Sequence, residues 1–394
     1  MIELPKTVQG VADTLRRAGF EAWIVGGCVR DSLLGRTPQD WDMCSDALPE
    51  ETLGLFGKKN TVKAGQKHGT IGVITGLGLV EITTFRTEGA YQDNRHPDEV
   101  RFVRDIRSDL SRRDFTVNAM AYCREKGLLD LFGGQADLKA GIIRCVGEPE
   151  ARFREDALRI LRALRFAARY GFSIEEKTSA AADECRGELL TISGERIWAE
   201  LKGIFSVSGA GAIVRSHFRI IGTVLPEADL SEPETLERYL SRCDGDFTVR
   251  LSLLFSDGAD AKRALERLHA DTESICRVSC AVSFARSPLP SSLPGLRREI
   301  ARWGKQTVLD GVSRMKAAGE RKEICAMLEE LCRTETCFSV KELAVSGKDL
   351  AALGVPPGKE MGRLLNTLLE EIFDEKIPND RVFLLAEAEK LLRS

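Results

Sequence analysis

A head in which short strands alternate with helices, followed by a long all-helical remainder, is the architecture this sequence predicts. Three observations carry it. Up to about residue 145, apolar and β-branched runs such as Ala22-Trp23-Ile24-Val25 are interleaved with helical patterns. From Pro149 onward apolar residues recur with a period near 3.6, and β-branched runs become few. Between the two, Gly147-Glu148-Pro149 supplies the punctuation.

Taken in order, residues 5–20 read as an amphipathic helix leading into the strand Ala22-Trp23-Ile24-Val25, which ends at Gly26-Gly27. Strand-like runs follow at 70–75, 79–85, 100–103, 128–131 and 141–146, with Phe132-Gly133-Gly134 as the turn between the last two. Helices are expected at 28–35, 49–56 and 114–121. Beyond the head, helices are expected over 152–169, 178–186, 194–206, 233–240, 259–269, 305–318 and 382–392. Breaks rich in Ser, Pro and Gly lie near 207–212, 222–233 and 285–295, the last reading as the clearest linker.

Composition excludes several classes. With 43% hydrophobic and 30% charged residues, the chain is neither disordered nor collagen-like. Its apolar runs are broken by charge before the roughly 20 residues a membrane helix needs. Met1-Ile2-Glu3-Leu4-Pro5-Lys6 lacks the basic-then-apolar pattern of a signal peptide, so a cytoplasmic location is expected. Eleven cysteines are scattered with no CxxC pair, as suits reduced, mostly buried thiols. His269, Cys276 and Cys280 fall near one helix face, but one helix does not wrap a tetrahedral metal. A net charge of -3 means that any nucleic-acid footprint must be local.

The densest chemical signal is the stretch from Val25 to Asp42. A strand ending in Gly26-Gly27 and opening a helix brings bare backbone amides to a helix N-terminus, which suits a phosphate. Arg30, one turn inside, adds a fork of donors for the same oxygens. Asp40 and Asp42 are spaced i, i+2, which on a strand puts both carboxylates on one face, able to converge on Mg²⁺. A glycine pair alone is a turn in most proteins, and a lone Asp-x-Asp is usually a solvated loop. Their occurrence together within 17 residues is the signal.

This stretch resembles the head of the template-independent nucleotidyltransferases of the DNA polymerase β superfamily. The likeness is greatest to the branch holding the bacterial CCA-adding enzymes and poly(A) polymerases. Further motifs follow in order: Gly65-Gln-Lys-His-Gly-Thr, Val80-Glu-Ile-Thr-Thr-Phe-Arg, Arg112-Arg-Asp-Phe-Thr-Val-Asn-Ala, Asp130-Leu-Phe-Gly-Gly and Arg154-Glu-Asp-Ala-Leu-Arg-Ile-Leu-Arg-Ala-Leu-Arg-Phe. The resemblance covers about residues 20–200 and implies an α+β nucleotidyltransferase (polymerase β-like) head followed by an all-α neck, body and tail. The expected partition is a head over 1–147, a neck over 148–207, a body over 208–295 and a tRNA-binding tail over 296–394.

The resemblance also implies roles. Gly27 and Arg30 would hold the triphosphate, and Asp40 and Asp42 the catalytic Mg²⁺, with Glu81 as a third carboxylate or a structural strand residue. Arg113 would contact the nucleotide and Asp114 the ribose 2′-hydroxyl. The implied reaction is attack of an RNA 3′-hydroxyl on the α-phosphate of CTP or ATP, with pyrophosphate leaving. The RNA would be tRNA, held at its acceptor arm and elbow by shape and backbone.

Asp156 and Arg159, at i, i+3 on the expected helix 152–169, would point the same way. An Asp accepts and an Arg donates, which matches the amino donor beside a ring-nitrogen acceptor of cytosine and adenine. Guanine and uracil present the reverse polarity, which leaves buried groups unpaired at about 1–3 kcal/mol each. This agrees with the family's use of these positions as a protein template. Arg162 and Arg165, also expected to bind nucleotide, continue the spacing but drift round the helix, so that Arg165 could brace the helix or the phosphates.

Within the family, Gly65-Gln-Lys-His-Gly-Thr-Ile-Gly-Val follows the CCA-adding form, where bacterial poly(A) polymerases carry a more basic segment. The loop over 87–100 is full length, unlike that of enzymes adding only CC; an enzyme adding only the final A would also keep it. Its Arg95 and His96, and His68 upstream, are left outside the site. Near the end, Gly347, Gly354 and Gly358 could bring amides to phosphate or form a helix–turn–helix packing corner. An inactive RNA-binding relative is the reading from a different class, and the intact acidic pair argues against it.

Overall fold

The computed structural model describes residues 2–63, 65–88 and 100–393, so the expected loop, with Arg95 and His96, lies largely outside the described residues. The chain forms two compact units, Met1–Val224 and Leu225–Ser394.

The first unit opens with α1 (Lys6–Arg17), which buries Val8, Val11, Ala12 and Leu15, an i, i+3, i+4, i+7 stripe. Then come β1 (Ala22–Val25), α2 (Gly27–Leu33), β2 (Trp41–Ser45), α3 (Pro49–Phe56), β3 (Thr61–Val62), β4 (Thr70–Thr75), β5 (Gly78–Thr84), β6 (Arg86–Glu88) and β7 (Val100–Phe102). They are followed by α4 (Ile106–Ser111), β8 (Met120–Cys123), β9 (Gly127–Asp130), α5 (Gly134–Ala140) and β10 (Ile142–Ile143). A seven-stranded sheet has the order β3-β4-β5-β2-β1-β8-β9, and β6 and β7 pair as a separate hairpin. Only β2 and β5 run parallel within the large sheet. One face packs Trp23, Val25, Cys44, Phe85, Ile106, Leu110, Ala121 and Cys123 together.

The helix expected over 114–121 is not formed. Its place is taken by a single 3-10 turn, Thr116–Asn118, and by β8, all four of whose residues are buried between β1 and β9. The Asp114 carboxylate accepts from the Phe115 backbone N–H (2.8 Å) and the Asn118 side-chain amide (3.1 Å), closing a local turn that competes with helix. Burial in the sheet decides the rest.

The helix expected over 152–169 is broken into α6 (Pro149–Glu155) and α7 (Leu158–Tyr170). Asp156 lies between them in an extended conformation (φ -147°, ψ 101°), and its carboxylate accepts from the Leu158 N–H at 3.1 Å. An aspartate that satisfies the next helix's free N–H ends one helix and starts another. The unit closes with β11 (Ser173–Ile174), parallel to β10, and with α8 (Glu176–Glu184), α9 (Gly194–Phe205) and α10 (Ala210–Val224), the last kinked at His217.

The second unit is helical: besides a 3-10 turn at Val340–Glu342 it has α11 (Pro233–Arg242), α12 (Phe247–Ser252), α13 (Gly258–Arg267), α14 (Thr272–Arg286), α15 (Leu293–Trp303), α16 (Lys305–Ala318), α17 (Lys322–Thr334), α18 (Gly347–Ala352), α19 (Lys359–Phe373) and α20 (Arg381–Arg393). They share one apolar core that includes Phe284, Leu296, Val312, Leu328, Leu368 and Leu384. The Pro/Ser-rich segment expected as a linker is the turn between α14 and α15. Ala285 before it and Leu296 after it belong to that same core, so it does not separate compact units. At the Gly-rich corner, Gly354 and Gly358 take positive φ (89° and 134°), and a Cβ on Gly347 would come 2.9 Å from the Met361 sulfur. Gly347 thus allows α18 to pack closely on α19, whereas Gly354 and Gly358 serve the backbone of the turn between them, with nothing within 4 Å of a built Cβ. Cys276 and Cys280 face each other on α14 with sulfurs 3.8 Å apart, while His269 lies in the turn after α13. Among the described residues no group of three metal-ligating side chains forms.

Candidate active site

The acidic pair is built on β2. Asp42 is its second residue and Asp40 sits in the bend just before it. On the adjacent parallel strand, Glu81 of β5 stands directly opposite Asp42. Neighbouring residues in register share a face of the sheet, so Glu81 lies on the Asp42 side, although the three carboxylates do not converge into a ready-made metal-ligating group among the described residues. Solvent reaches all three, yet the surrounding protein mass pushes the Asp42 carboxyl above its ordinary range. The Glu81 and Asp40 charges push it the same way, and Arg113 pulls it back. Among the described residues no ion pair neutralises any of the three. A hard dication that takes one or two protein carboxylates and completes its shell with phosphate oxygens and water fits this donor set, and Mg²⁺ is such an ion.

The glycine turn and Arg113 meet at the same place. Gly26 caps α2 at φ 76°, and a Cβ there would lie 3.0 Å from Arg113 Nη1. Only glycine allows the backbone to come so close to that guanidinium. Arg113 donates to Asp109 at 3.1 Å, and Arg112 donates to the same carboxylate at 2.7 Å. Asp109 is fully buried, which would raise its pKa, but the two guanidiniums outweigh burial and hold it below the ordinary range. The Arg113 Nε is buried without a partner, an unspent donor beside the carboxylates.

Arg30 is placed differently from an open phosphate fork. It is 5% exposed, donates to the Asn118 side-chain oxygen and to Asp31 (2.9 Å), and lies over the Tyr170 and Phe166 rings at 4.7 and 5.1 Å. Tyr170 O–H donates to Asp31 in turn (2.9 Å). Arg30 thus braces α2 against α7, with Gly27 above it: a Cβ on Gly27 would sit 3.5 Å from its Nη2.

Asp114 is equally committed. Besides Phe115 and Asn118, it accepts Arg162 Nε (2.9 Å) and Nη2 (2.6 Å) on its other oxygen. Burial works against its charge, but Arg162 and Asn118 prevail and keep its pKa low. Arg162 is therefore the partner of Asp114 rather than a free contact. Arg165 pairs with Glu200 of α9 at 2.6 Å and lies across the backbone at Gly203.

Asp156 and Arg159 do not share one helix face, because Asp156 lies in the break before α7. Arg159 donates to Glu155, to the Arg152 carbonyl (3.2 Å) and to the Arg112 carbonyl (3.3 Å). Arg196 of α9 donates to Asp156 Oδ2 at 2.9 Å. The α6–α7 junction is thereby tied both to the Arg112-Arg113-Asp114 segment and to α9. Sequence reasoning missed Asp109, Asn118, Glu155, Arg196 and Glu200. The i, i+4 spacings Asp109–Arg113, Asp114–Asn118 and Glu155–Arg159 are local signals that could have marked the first three, whereas Arg196 and Glu200 bond to partners 40 and 35 residues away.

Comparison with known proteins places the whole chain in a family. Residues 22–144 match the poly(A) polymerase head domain family, and residues 247–388 match tRNA nucleotidyltransferase domain 2. A CCA-adding enzyme of Lactiplantibacillus plantarum is 34% identical, covering 98% of this chain and 97% of that protein. One from Lactobacillus helveticus is 36% identical over 94% and 93%. The crystal structure of the Bacillus stearothermophilus CCA-adding enzyme in complex with CTP superposes with a TM-score of 0.79 at 29% identity, covering 98% and 97% of the two chains. The Thermotoga maritima CCA-adding enzyme complexed with tRNA shares the fold at a TM-score of 0.71 and 23% identity, covering 98% and 94%. Identity at this level from end to end, head and helical remainder alike, makes the chain a member of the CCA-adding enzyme family of tRNA nucleotidyltransferases.

Proposed function

We propose that this protein builds or repairs the 3′-terminal CCA of tRNA from CTP and ATP, by attack of the RNA 3′-hydroxyl on the nucleotide α-phosphate with loss of pyrophosphate. The observation that carries the reading is full-length likeness to CCA-adding enzymes, joined to an unneutralised carboxylate cluster beside the Gly26–Arg113 contact. Enzymes of this family depend on a divalent metal. Asp40 and Asp42 would hold Mg²⁺, with Glu81 alongside; when bound, the ion supplies charge stabilisation at the transferring phosphoryl group.

The chain's own groups do the positioning. Arg113, whose Nη1 lies against Gly26, would contact the nucleotide through the accessible end of its guanidinium, and the Gly26-Gly27 turn lets phosphate oxygens approach backbone amides. Arg30 fixes α2, and through Asn118 it is linked to Asp114 and the Asp114–Arg162 pair, against which the ribose is read. Asp156 and Arg159 read the Watson–Crick edge of the incoming base, one accepting and the other donating. Arg165 braces that segment through Glu200. Holding reactants in place in this way accounts for most of the rate enhancement in phosphoryl-transfer chemistry. The helical chain from residue 148 onward, which divides at Val224–Leu225 rather than at 207 and 295, would serve the acceptor arm and elbow of tRNA. No helix among the described residues is long and apolar enough to cross a membrane.

The test is extension of a tRNA transcript lacking CCA, with Mg²⁺ and each nucleotide separately and together. CTP alone should give two additions, and CTP with ATP three and a stop. A long A tail would make the protein a poly(A) polymerase. Extension of only a CC-ended transcript would make it an A-adding enzyme, and RNA binding without extension an inactive relative.

A further inference from the structure

We infer that Arg196 is the positioning residue for the base-reading carboxylate of Asp156, and hence a determinant of which nucleotide the site accepts. The inference rests on the base-reading role proposed above. Asp156 is not carried by a helix that could fix its side chain; it lies in extended backbone between α6 and α7. Two contacts define its carboxylate: Oδ1 takes the Leu158 N–H at 3.1 Å, and Oδ2 takes Arg196 Nη2 at 2.9 Å. A carboxylate oxygen has two acceptor sites, so these contacts leave one on each oxygen for an incoming amino group. The Leu158 bond alone is a hinge about which the second oxygen could swing. Arg196 closes that freedom and sets the direction of the remaining acceptors.

The anchor is non-local, 40 residues away on α9, and it is independent of what holds α9 in place. Ile197, Trp198 and Leu201 of that helix are buried, and Glu200, one turn beyond Arg196, holds Arg165 at 2.6 Å. Loss of the Arg196 side chain therefore removes the grip on Asp156 while α9 stays docked. The opposite member of the base-reading pair has its own anchors, Glu155 and the Arg152 and Arg112 carbonyls. Donor and acceptor are thus set by separate supports, and Arg196 serves only the acceptor.

The experiment measures kcat/KM for single addition of CTP and of UTP to a tRNA transcript lacking CCA, in the wild type and in Arg196→Ala, Arg196→Lys and Asp156→Asn. Arg196→Ala should lower the CTP-to-UTP ratio about tenfold, the scale set by one mispaired buried polar group. Arg196→Lys, which keeps a donor, should restore part of that ratio. Equal loss for both nucleotides, with the ratio unmoved in both variants, would give Arg196 a merely structural role and overturn the inference. Asp156→Asn separates the two layers. If it leaves the ratio intact, base reading by Asp156 itself fails. If it abolishes the ratio while the Arg196 variants discriminate like the wild type, only the positioning role fails.

Discussion

The two units handle buried charge in opposite ways. In the second, arginines are clamps: Arg297, 7% exposed, donates to both oxygens of Glu335, to Glu375 and to the Phe373 carbonyl. Arg277 grips Asp310 through two 2.8 Å bonds and Asp246, the cap of α12, through a third. Such geometry answers each charge with a charge and joins helix ends around an apolar core. In the first unit Asp42, Asp40 and Glu81 repel one another, and Arg113 keeps a buried donor unspent. Those two clamps serve stability, although the same unit also buries Arg314 on the Ser252 and Phe255 carbonyls with no carboxylate among the described residues bonded to it. The other holds tension at the point where a metal and a triphosphate would relieve it, as sites of chemistry do.

Breaking that contrast at its sharpest point gives the largest effect. Asp42→Ala should cut nucleotide addition by at least roughly a thousandfold, equivalent to about 4 kcal/mol of transition-state stabilisation. It should leave the melting temperature unchanged or higher, since a crowded like charge is gone. Paired activity and thermal-melting measurements decide; a large fall in stability would make Asp42 structural. In the second unit the corresponding weak point is apolar. Phe284 is fully buried, edge-on to Trp303 at 5.9 Å and pressed against Gly311. Phe284→Ala should cost about 3–5 kcal/mol. Hydrogen exchange should quicken in α14 and α16 while β1 and β8 keep their protection; uniform quickening would mean that the units do not respond separately.

The same contrast explains what could be read from sequence. The apolar strands β1, β4 and β5 and four of the second unit's ten helices, α11, α13, α16 and α20, were legible, because their burial follows a local period. Asp40 and Asp42 were legible as a spacing. Glu81 entered by resemblance, but that it stands opposite Asp42 is a matter of strand register, which local pattern does not encode. The run around 114–121 reads as helix by composition and becomes β8 through burial between two strands. The break at Asp156 escaped because Asp156–Arg159 is also a good i, i+3 helix pair; a side-chain bond to Leu158 decides against it. Arg196 and Glu200 were invisible as partners, since contacts across 35–40 residues leave no periodic trace.

An intermediate effect comes from pH. Asp114 is held below the ordinary aspartate range by Arg162 and Asn118, against burial. A carboxylate with a lowered folded-state pKa adds stability above its unfolded value, about 3.9, and loses it as pH falls through the folded value. Removing Arg162 leaves burial dominant, so the Asp114 pKa should rise and the loss should begin at higher pH. Exchange of β8 amides, followed from about pH 7 to pH 3, should show Arg162→Ala destabilising the first unit earlier than the wild type on acidification. Superimposable profiles would mean that the pair contributes nothing to stability.

The smallest effect tests whether the second unit's clamps owe their value to burial or merely to opposite charge. Lys316 of α16 and Glu329 of α17 pair at 2.7 Å, as short as the Arg297 contacts, but the two side chains are 54% and 42% exposed. In that setting water screens the attraction, and holding two long side chains costs entropy, so the pair is worth about 0–1 kcal/mol. Lys316→Ala should shift the denaturation midpoint barely, and the shift should vanish as salt shortens the screening length. Removing Arg297 should instead leave the Phe373 carbonyl and Glu335 without their partner, with a larger loss that salt does not erase. Equal losses at low and high salt for the two variants would show that proximity alone, not burial, gives these ion pairs their strength.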